Sequence, residues 1–119
     1  MIYWGLLLHF YQPPPQIHPV LRRVTEECYR PVLDILRKHP HARVSVNISG
    51  VLTESLWEHG LRDILDDLRD LAARGQIEFT GSAKYHAILP LIPDAEIRRQ
   101  VRLNHVTNRH YLGEAYRPL

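Results

Sequence analysis

The chain has 119 residues, 45% hydrophobic and 24% charged, a composition that suits one globular domain and excludes a disordered or collagen-like polypeptide. A formal net charge of +2, with the arginines interspersed among acidic residues, is too weak to argue for a nucleic-acid partner. A single cysteine, Cys28, excludes an internal disulfide, and no apolar run is long enough to span a bilayer.

Residues 2–10 form a near-continuous apolar run without alternation, the pattern of a strand buried on both faces in a parallel sheet. The run has neither the basic start nor the small-residue cleavage site of a signal peptide, and with no disulfide the expected compartment is cytoplasmic. Pro13, Pro14 and Pro15 then forbid regular structure. Residues 18–39 read as helix. Pro31 removes a backbone donor and clashes with the preceding turn, so two pieces are expected, with Pro31 near the first turn of the second. Val32, Leu33, Ile35 and Leu36 give that second piece its buried side, and Cys28 reads as a buried thiol in the same apolar pattern.

Residues 43–48 read as a strand, with Val44, Val46 and Ile48 alternating. Thr53 can cap a short helix reaching Glu58, and His59-Gly60 interrupts it. Leu61, Ile64, Leu65, Leu68, Leu71 and Ala72 then make one stripe of an amphipathic helix, with Asp63, Asp66, Asp67 and Asp70 off it. Asp70 and Arg74 can pair, and Gly75 stands where a left-handed cap residue belongs. Residues 76–80 read as a third strand, and residues 81–93 as an apolar loop with two prolines. Asp94 can cap a last helix to about Leu112, whose apolar face is less pure. Arg98, Arg99 and Arg102 on that helix read as a solvated face, and Trp4 and Trp57 as core.

The order β-α-β-α-β-α argues for an α/β fold with parallel strands and helices packed outside. Three such strands would leave a raw edge after the third, where self-association could begin. In α/β folds sites form at the C-terminal ends of strands. His9, Tyr11 and Gln12 follow the first strand. Asn47, Ser49 and Gly50 end the second, and Glu78, Thr80, Ser82, Tyr85 and His86 occupy the third and its loop. Converging on one rim, they would offer the polar groups and aromatic faces that a sugar cleft requires. Each also has a plainer reading: a capped surface histidine at His9, loop satisfaction by Gln12, a local cap at Asn47, loop packing by Tyr85 and His86. Glu78 carries a carboxylate inside a strand expected to be buried, which is costly unless it is paired with an arginine or faces a cleft.

His9-Phe10-Tyr11-Gln12-Pro13 resembles the first signature of glycoside hydrolase family 57, a histidine followed after two residues by Gln-Pro. Gly75-Gln76-Ile77-Glu78-Phe79, continuing to Tyr85-His86 and Leu89-Pro90, resembles that family's second signature. Asn47-Ile48-Ser49-Gly50-Val51-Leu52 is similar to its second strand and following turn. The resemblance covers essentially the whole chain in the correct order. It implies one partial domain over residues 1–119, the N-terminal segment of an incomplete (β/α)7 barrel, and a retaining mechanism on α-glucans by hydrolysis or glucanotransfer. It implies no cofactor and an α-glucan or oligosaccharide partner, contacted by His9, Tyr11, Gln12, Glu78, Tyr85 and His86. Glu78 would be a supporting acid of the second signature. Tyr11 departs from the histidine frequent at that position in the family.

The family's nucleophile and acid/base belong to later signatures, which the resemblance places beyond Leu119. Retaining hydrolysis needs two carboxyl groups roughly 5–5.5 Å apart, and Glu78 cannot serve as both. This polypeptide alone is therefore expected not to hydrolyse α-glucans. Two other classes compete. One is a metal-dependent barrel of the polysaccharide deacetylase type, suggested by the eight histidines, but His9 and His86 lack a metal-ligand spacing, so no metal site is expected. The other is a non-catalytic carbohydrate-binding or interaction module, or the remnant of a truncated gene.

Overall fold

In the computed structural model, which describes residues 1–119, helices alternate with three parallel strands. The elements are β1 (Leu7–Phe10), α1 (His18–Val24), α2 (Arg30–Lys38), β2 (Val44–Ile48), α3 (Gly50–Glu58), α4 (Arg62–Ala73), β3 (Ile77–Thr80) and α5 (Asp94–Leu112). The strands lie in chain order β1-β2-β3. Leu8, Val46 and Phe79 align across them on one face, and Leu7–Ser45–Glu78 and His9–Asn47–Thr80 on the other. The helices cover only the first face. Val46, Ile48 and Phe79 are buried there with Leu33, Leu52, Leu68 and Leu71.

That one-sided packing corrects the first strand. It begins only at Leu7, and Leu7 and His9 are exposed because no layer covers their side of the sheet. Trp4, expected in the core, is 84% exposed in the segment before the strand. Trp57 is half-buried against the core, with the Arg62 guanidinium 4.0 Å above its ring.

The expected break near Pro31 takes the form of one wide turn. Residues Thr25–Tyr29 are π-helical, and the Arg30 N–H reaches the Thr25 carbonyl five residues back. Pro31 then falls in the first turn of α2, where a missing donor costs least. The wide turn also keeps the buried side aligned. Leu21, Thr25, Tyr29 and Leu33 are buried at spacings of four. In a regular α-helix each such step drifts by about 40°, and a wider turn reverses the drift. Cys28 is on the outward side and exposed, not buried as expected. Ile35 is likewise exposed, because Leu33 and Leu36 take the covered face of α2.

Of the predicted stripe, Leu61 just before α4 and Ile64, Leu65, Leu68 and Leu71 within it are buried, Ala72 is half-buried, and the off-stripe acids pair outward. Asp63 meets Arg30, Asp67 meets Arg37, and Asp70 lies 2.7 Å from Arg74. Gly75, at φ +70°, closes the helix: its N–H bonds the Ala72 carbonyl and the Gln76 N–H bonds that of Leu71. Two expected caps are displaced. Thr53 sits inside α3, which starts at Gly50, and Asp94 is the first residue of α5 without a side-chain capping bond.

The impure face of α5 has a physical cause. Its buried residues are Gln100, Asn104, Thr107, Asn108 and Leu112, mostly polar, and the two asparagines bond α3 and β2. The Asn104 Oδ1 accepts the Gly50 N–H at 2.7 Å, and its Nδ2 donates to the Tyr116 hydroxyl at 3.2 Å. The Asn108 Oδ1 accepts the Thr53 hydroxyl at 2.6 Å, and its Nδ2 donates to the Ile48 carbonyl at 2.9 Å. Gly50 allows this approach, since a Cβ there would stand 3.1 Å from the Thr107 Cβ. Arg98 and Arg102 are solvated as expected. The outer edge of β3 is not wholly raw: the Leu119 N–H donates to the Phe79 carbonyl at 3.3 Å. No helix is long and apolar enough to cross a membrane.

Candidate functional site

Strand alternation puts the polar residues on the open face of the sheet. The upper row, at the strands' C-terminal ends, is a hydrogen-bonded chain. His9 Nδ1 lies 2.8 Å from Asn47 Oδ1, and Asn47 Nδ2 donates to Thr80 Oγ1 at 3.1 Å. Asn47 is 8% exposed and holds the two outer strands' residues together, rather than capping its own turn.

The loop after β3 brings the second half of the site. Its backbone is pinned from below: the Lys84 N–H donates to the Gln100 carbonyl at 3.2 Å, and the Tyr85 N–H to Gln100 Oε1 at 3.2 Å. The Lys84 side chain is nearly buried, and its ammonium bonds Glu54 at 2.7 Å. Such a pair is strongly destabilising to break from one side, because the partner's charge is left uncompensated. Held this way, His86 adopts φ +56°, a left-handed conformation that costs a non-glycine residue about 1–2 kcal/mol. Its ring then stacks on Tyr11, with centroids 4.3 Å apart and planes at 22°, and lies 4.8 Å from the His9 ring.

The loop after β1 is fixed from its other side. The Tyr29 hydroxyl donates to the Tyr11 carbonyl at 3.2 Å and accepts the Gln12 amide at 3.3 Å. Burial pushes the Tyr29 phenol above its ordinary pKa, so it stays a neutral donor. Gln12 Oε1 accepts from Gln16 at 2.6 Å.

Of the six residues singled out from the sequence, the structure therefore unites His9, Tyr11 and His86. Gln12 is turned into its own loop. Tyr85 is exposed beside the stack, its ring 5.4 Å from the Lys84 ammonium. Glu78 lies one row lower, about 7 Å along the strand from the upper row. It is exposed and in no ion pair, so the burial cost expected for its carboxylate does not arise. It lines a cleft of about 400 Å³ with Trp4, Leu6, Arg43, Ser45 and Gln76, toward the strands' N-terminal ends. Sequence reasoning missed Lys84, and for Asn47 it left a place on the rim beside a local cap. The strand register, which aligns His9 with Asn47 and Thr80, is the signal that identifies Asn47.

The N-terminus of α3 points at the same rim but is closed to a ligand, since Asn104 and the Lys84 carbonyl occupy the Gly50 and Val51 N–H groups. No three of the His, Cys, Asp and Glu side chains gather as a metal site would need. What the arrangement offers is a short polar row beside a three-ring aromatic surface, open on one side. Such a surface can hydrogen-bond hydroxyls and stack against apolar ring faces.

Comparison with known proteins agrees with this fold. The family model described as Glycosyl hydrolase family 57 matches residues 7–118. The alpha-amylase 1 of Dictyoglomus thermophilum is 36% identical over 102 residues, covering 85% of this chain and 15% of that protein. The crystal structure of 4-alpha-glucanotransferase from Thermococcus litoralis superposes with a TM-score of 0.82 at 31% identity, over 90% of this chain and 17% of that one. A branching enzyme of Thermococcus kodakaraensis gives a TM-score of 0.73 at 20% identity over 92% of this chain and 30% of that one, a likeness of fold. The chain thus spans about 15% of the length of the curated relatives it matches.

Proposed function

The chain belongs to glycosyl hydrolase family 57, and on that premise we propose that it supplies a carbohydrate-contacting rim of an α-glucan-acting enzyme. His9, Tyr11 and His86 are the ligand-contacting residues. The observation that carries this reading is the hydrogen-bonded row His9–Asn47–Thr80 beside the stacked Tyr11 and His86 rings. Related proteins named alpha-amylase and 4-alpha-glucanotransferase favour α-linked glucose chains as the ligand. Tyr11 contributes an aromatic face, with His86 lying across it.

The chemistry of bond cleavage is missing from this surface. The open-face positions of the three strands are Leu7, His9, Ser45, Asn47, Glu78 and Thr80, and among them Glu78 is the one carboxylate. Retention needs a nucleophile and an acid roughly 5–5.5 Å apart. The purified 119-residue chain is therefore expected to bind maltooligosaccharides without releasing reducing ends from them. A reducing-sugar assay with maltoheptaose checks this; turnover that Glu78→Ala abolishes would overturn it.

Self-association follows from the open edge of β1 and the exposed Met1, Ile2, Tyr3, Trp4, Leu6 and Leu7 before and within it. Light scattering across a concentration series is expected to rise above the 13.9 kDa of one chain. A constant monomer mass at every concentration would remove self-association from the proposal.

A further inference from the structure

The open face assigns a direction to the hydrogen bond that His9 offers a ligand. We infer that Asn47 is a positioning residue. It holds neutral His9 as the Nδ1–H tautomer, so that Nε2 is presented as an acceptor for a ligand hydroxyl.

Three observations on Asn47 carry this. Its Nδ2 lies 3.1 Å from Thr80 Oγ1 and 3.4 Å from both the Thr80 and the Gly81 carbonyl oxygens. Carbonyl oxygens only accept, so the nitrogen of the amide must be the atom on that side. The flipped amide would set its oxygen against two carbonyl oxygens with no proton between them. Oδ1 therefore faces His9, at 2.8 Å from Nδ1. An amide oxygen also only accepts, so the proton of that bond belongs to Nδ1. In the neutral ring the remaining nitrogen, Nε2, then carries a lone pair. Nε2 has no partner within the chain, and the His9 side chain is exposed on the open face.

Free histidine prefers the opposite tautomer, with its proton on Nε2. The clamp thus reverses an intrinsic preference, and it does so through an amide that is nearly buried and bonded on both sides. The neighbouring rings leave this unchanged, since neither His86 nor Tyr11, with ring centroids 4.8 and 6.2 Å from that of His9, hydrogen-bonds it. An acceptor at Nε2 requires the ligand to donate there. A hydroxyl qualifies and an ether oxygen does not, so the rim would distinguish a free sugar hydroxyl from an alkylated one. The identity of the ligand rests on the carbohydrate reading above; the tautomer does not.

The test is a long-range proton–nitrogen correlation spectrum of the nitrogen-15-labelled 119-residue chain at a pH where His9 is neutral, with His9→Gln assigning the signals. The expected pattern is a protonated Nδ1 and an unprotonated Nε2. Asn47→Leu should move the proton to Nε2, whereas Asn47→Asp, whose carboxylate also accepts, should leave it on Nδ1. A proton on Nε2 in the unsubstituted chain overturns the clamp, with no variant needed, and so does a folded Asn47→Leu chain with an unchanged pattern. Adding maltoheptaose should then shift the His9 Nε2 resonance. Shifts at Tyr11 and His86 without one at Nε2 would overturn the acceptor role. No shift at any of the three would sink the carbohydrate reading, while the tautomer pattern still decides the role of Asn47.

Discussion

Asn108→Ala is expected to lower the free energy of unfolding by about 3 kcal/mol, a large part of the roughly 5–15 kcal/mol that holds a domain of this kind together. Asn108 is wholly buried and belongs to two partners at once, the Thr53 hydroxyl and the Ile48 carbonyl. Truncation leaves both without it. Each buried group so orphaned costs about 1–3 kcal/mol. The Thr53 hydroxyl retains a 3.3 Å bond to the Ser49 carbonyl, which moderates its share. Asn108→Asp is expected to be no better: it keeps the acceptor for Thr53 but loses the donor to Ile48 and buries a charge. Urea denaturation followed by circular dichroism measures the loss, with Arg98→Ala on the solvated side of α5 as a control expected within about 0.5 kcal/mol of the parent. A loss below about 1 kcal/mol for Asn108→Ala would mean that the amide network does not fasten α5 to the sheet.

His9→Ala is expected to weaken maltoheptaose binding by about 10–100-fold, the equivalent of about 1.5–3 kcal/mol from one hydrogen bond and one ring contact. The same substitution should barely change stability, because His9 is exposed and its face of the sheet is not core. Tyr11→Ala should weaken binding similarly by removing the face on which His86 lies. Gln12→Ala acts differently. Its amide serves Tyr29 and Gln16, so any effect on binding should come with a loosened loop and reduced stability. Titration calorimetry against denaturation separates the two behaviours. Unchanged affinity in His9→Ala would move the ligand away from the aromatic rim, toward the cleft that Glu78 lines.

The fold was readable wherever one physical preference dominated. The α4 stripe from Ile64 to Leu71 and the glycine at its end are local in origin, and both appear as expected. Pro31 announced an interruption, yet a proline states only what a helix must avoid; the π-helical solution depends on keeping Leu21, Thr25, Tyr29 and Leu33 on one side. Cys28 and Trp4 were misplaced because hydrophobicity does not say which face is covered. The polar face of α5 hid for the opposite reason. Asn104 and Asn108 look solvated in a sequence, and their buried role depends on partners about 55 residues away, such as Gly50 and Thr53. Of the site, His9, Tyr11 and His86 were legible through their motifs and do meet. Asn47 was underrated because its partners, His9 and Thr80, come from other strands, and only register brings them together.

The two-sidedness of the strands also bears on how such a surface can change over generations. Leu8, Val46 and Phe79 answer to the packing of the helices, whereas His9, Asn47 and Thr80 answer to whatever lies on the open face. Neighbouring codons thus fall under different selection. A replacement at an open-face position can alter recognition with little disturbance of the interior, and one at a covered position can tune stability with little disturbance of recognition. A single-codon insertion or deletion within β2 abolishes that separation, because it exchanges the two sides of the strand and spoils packing and recognition together.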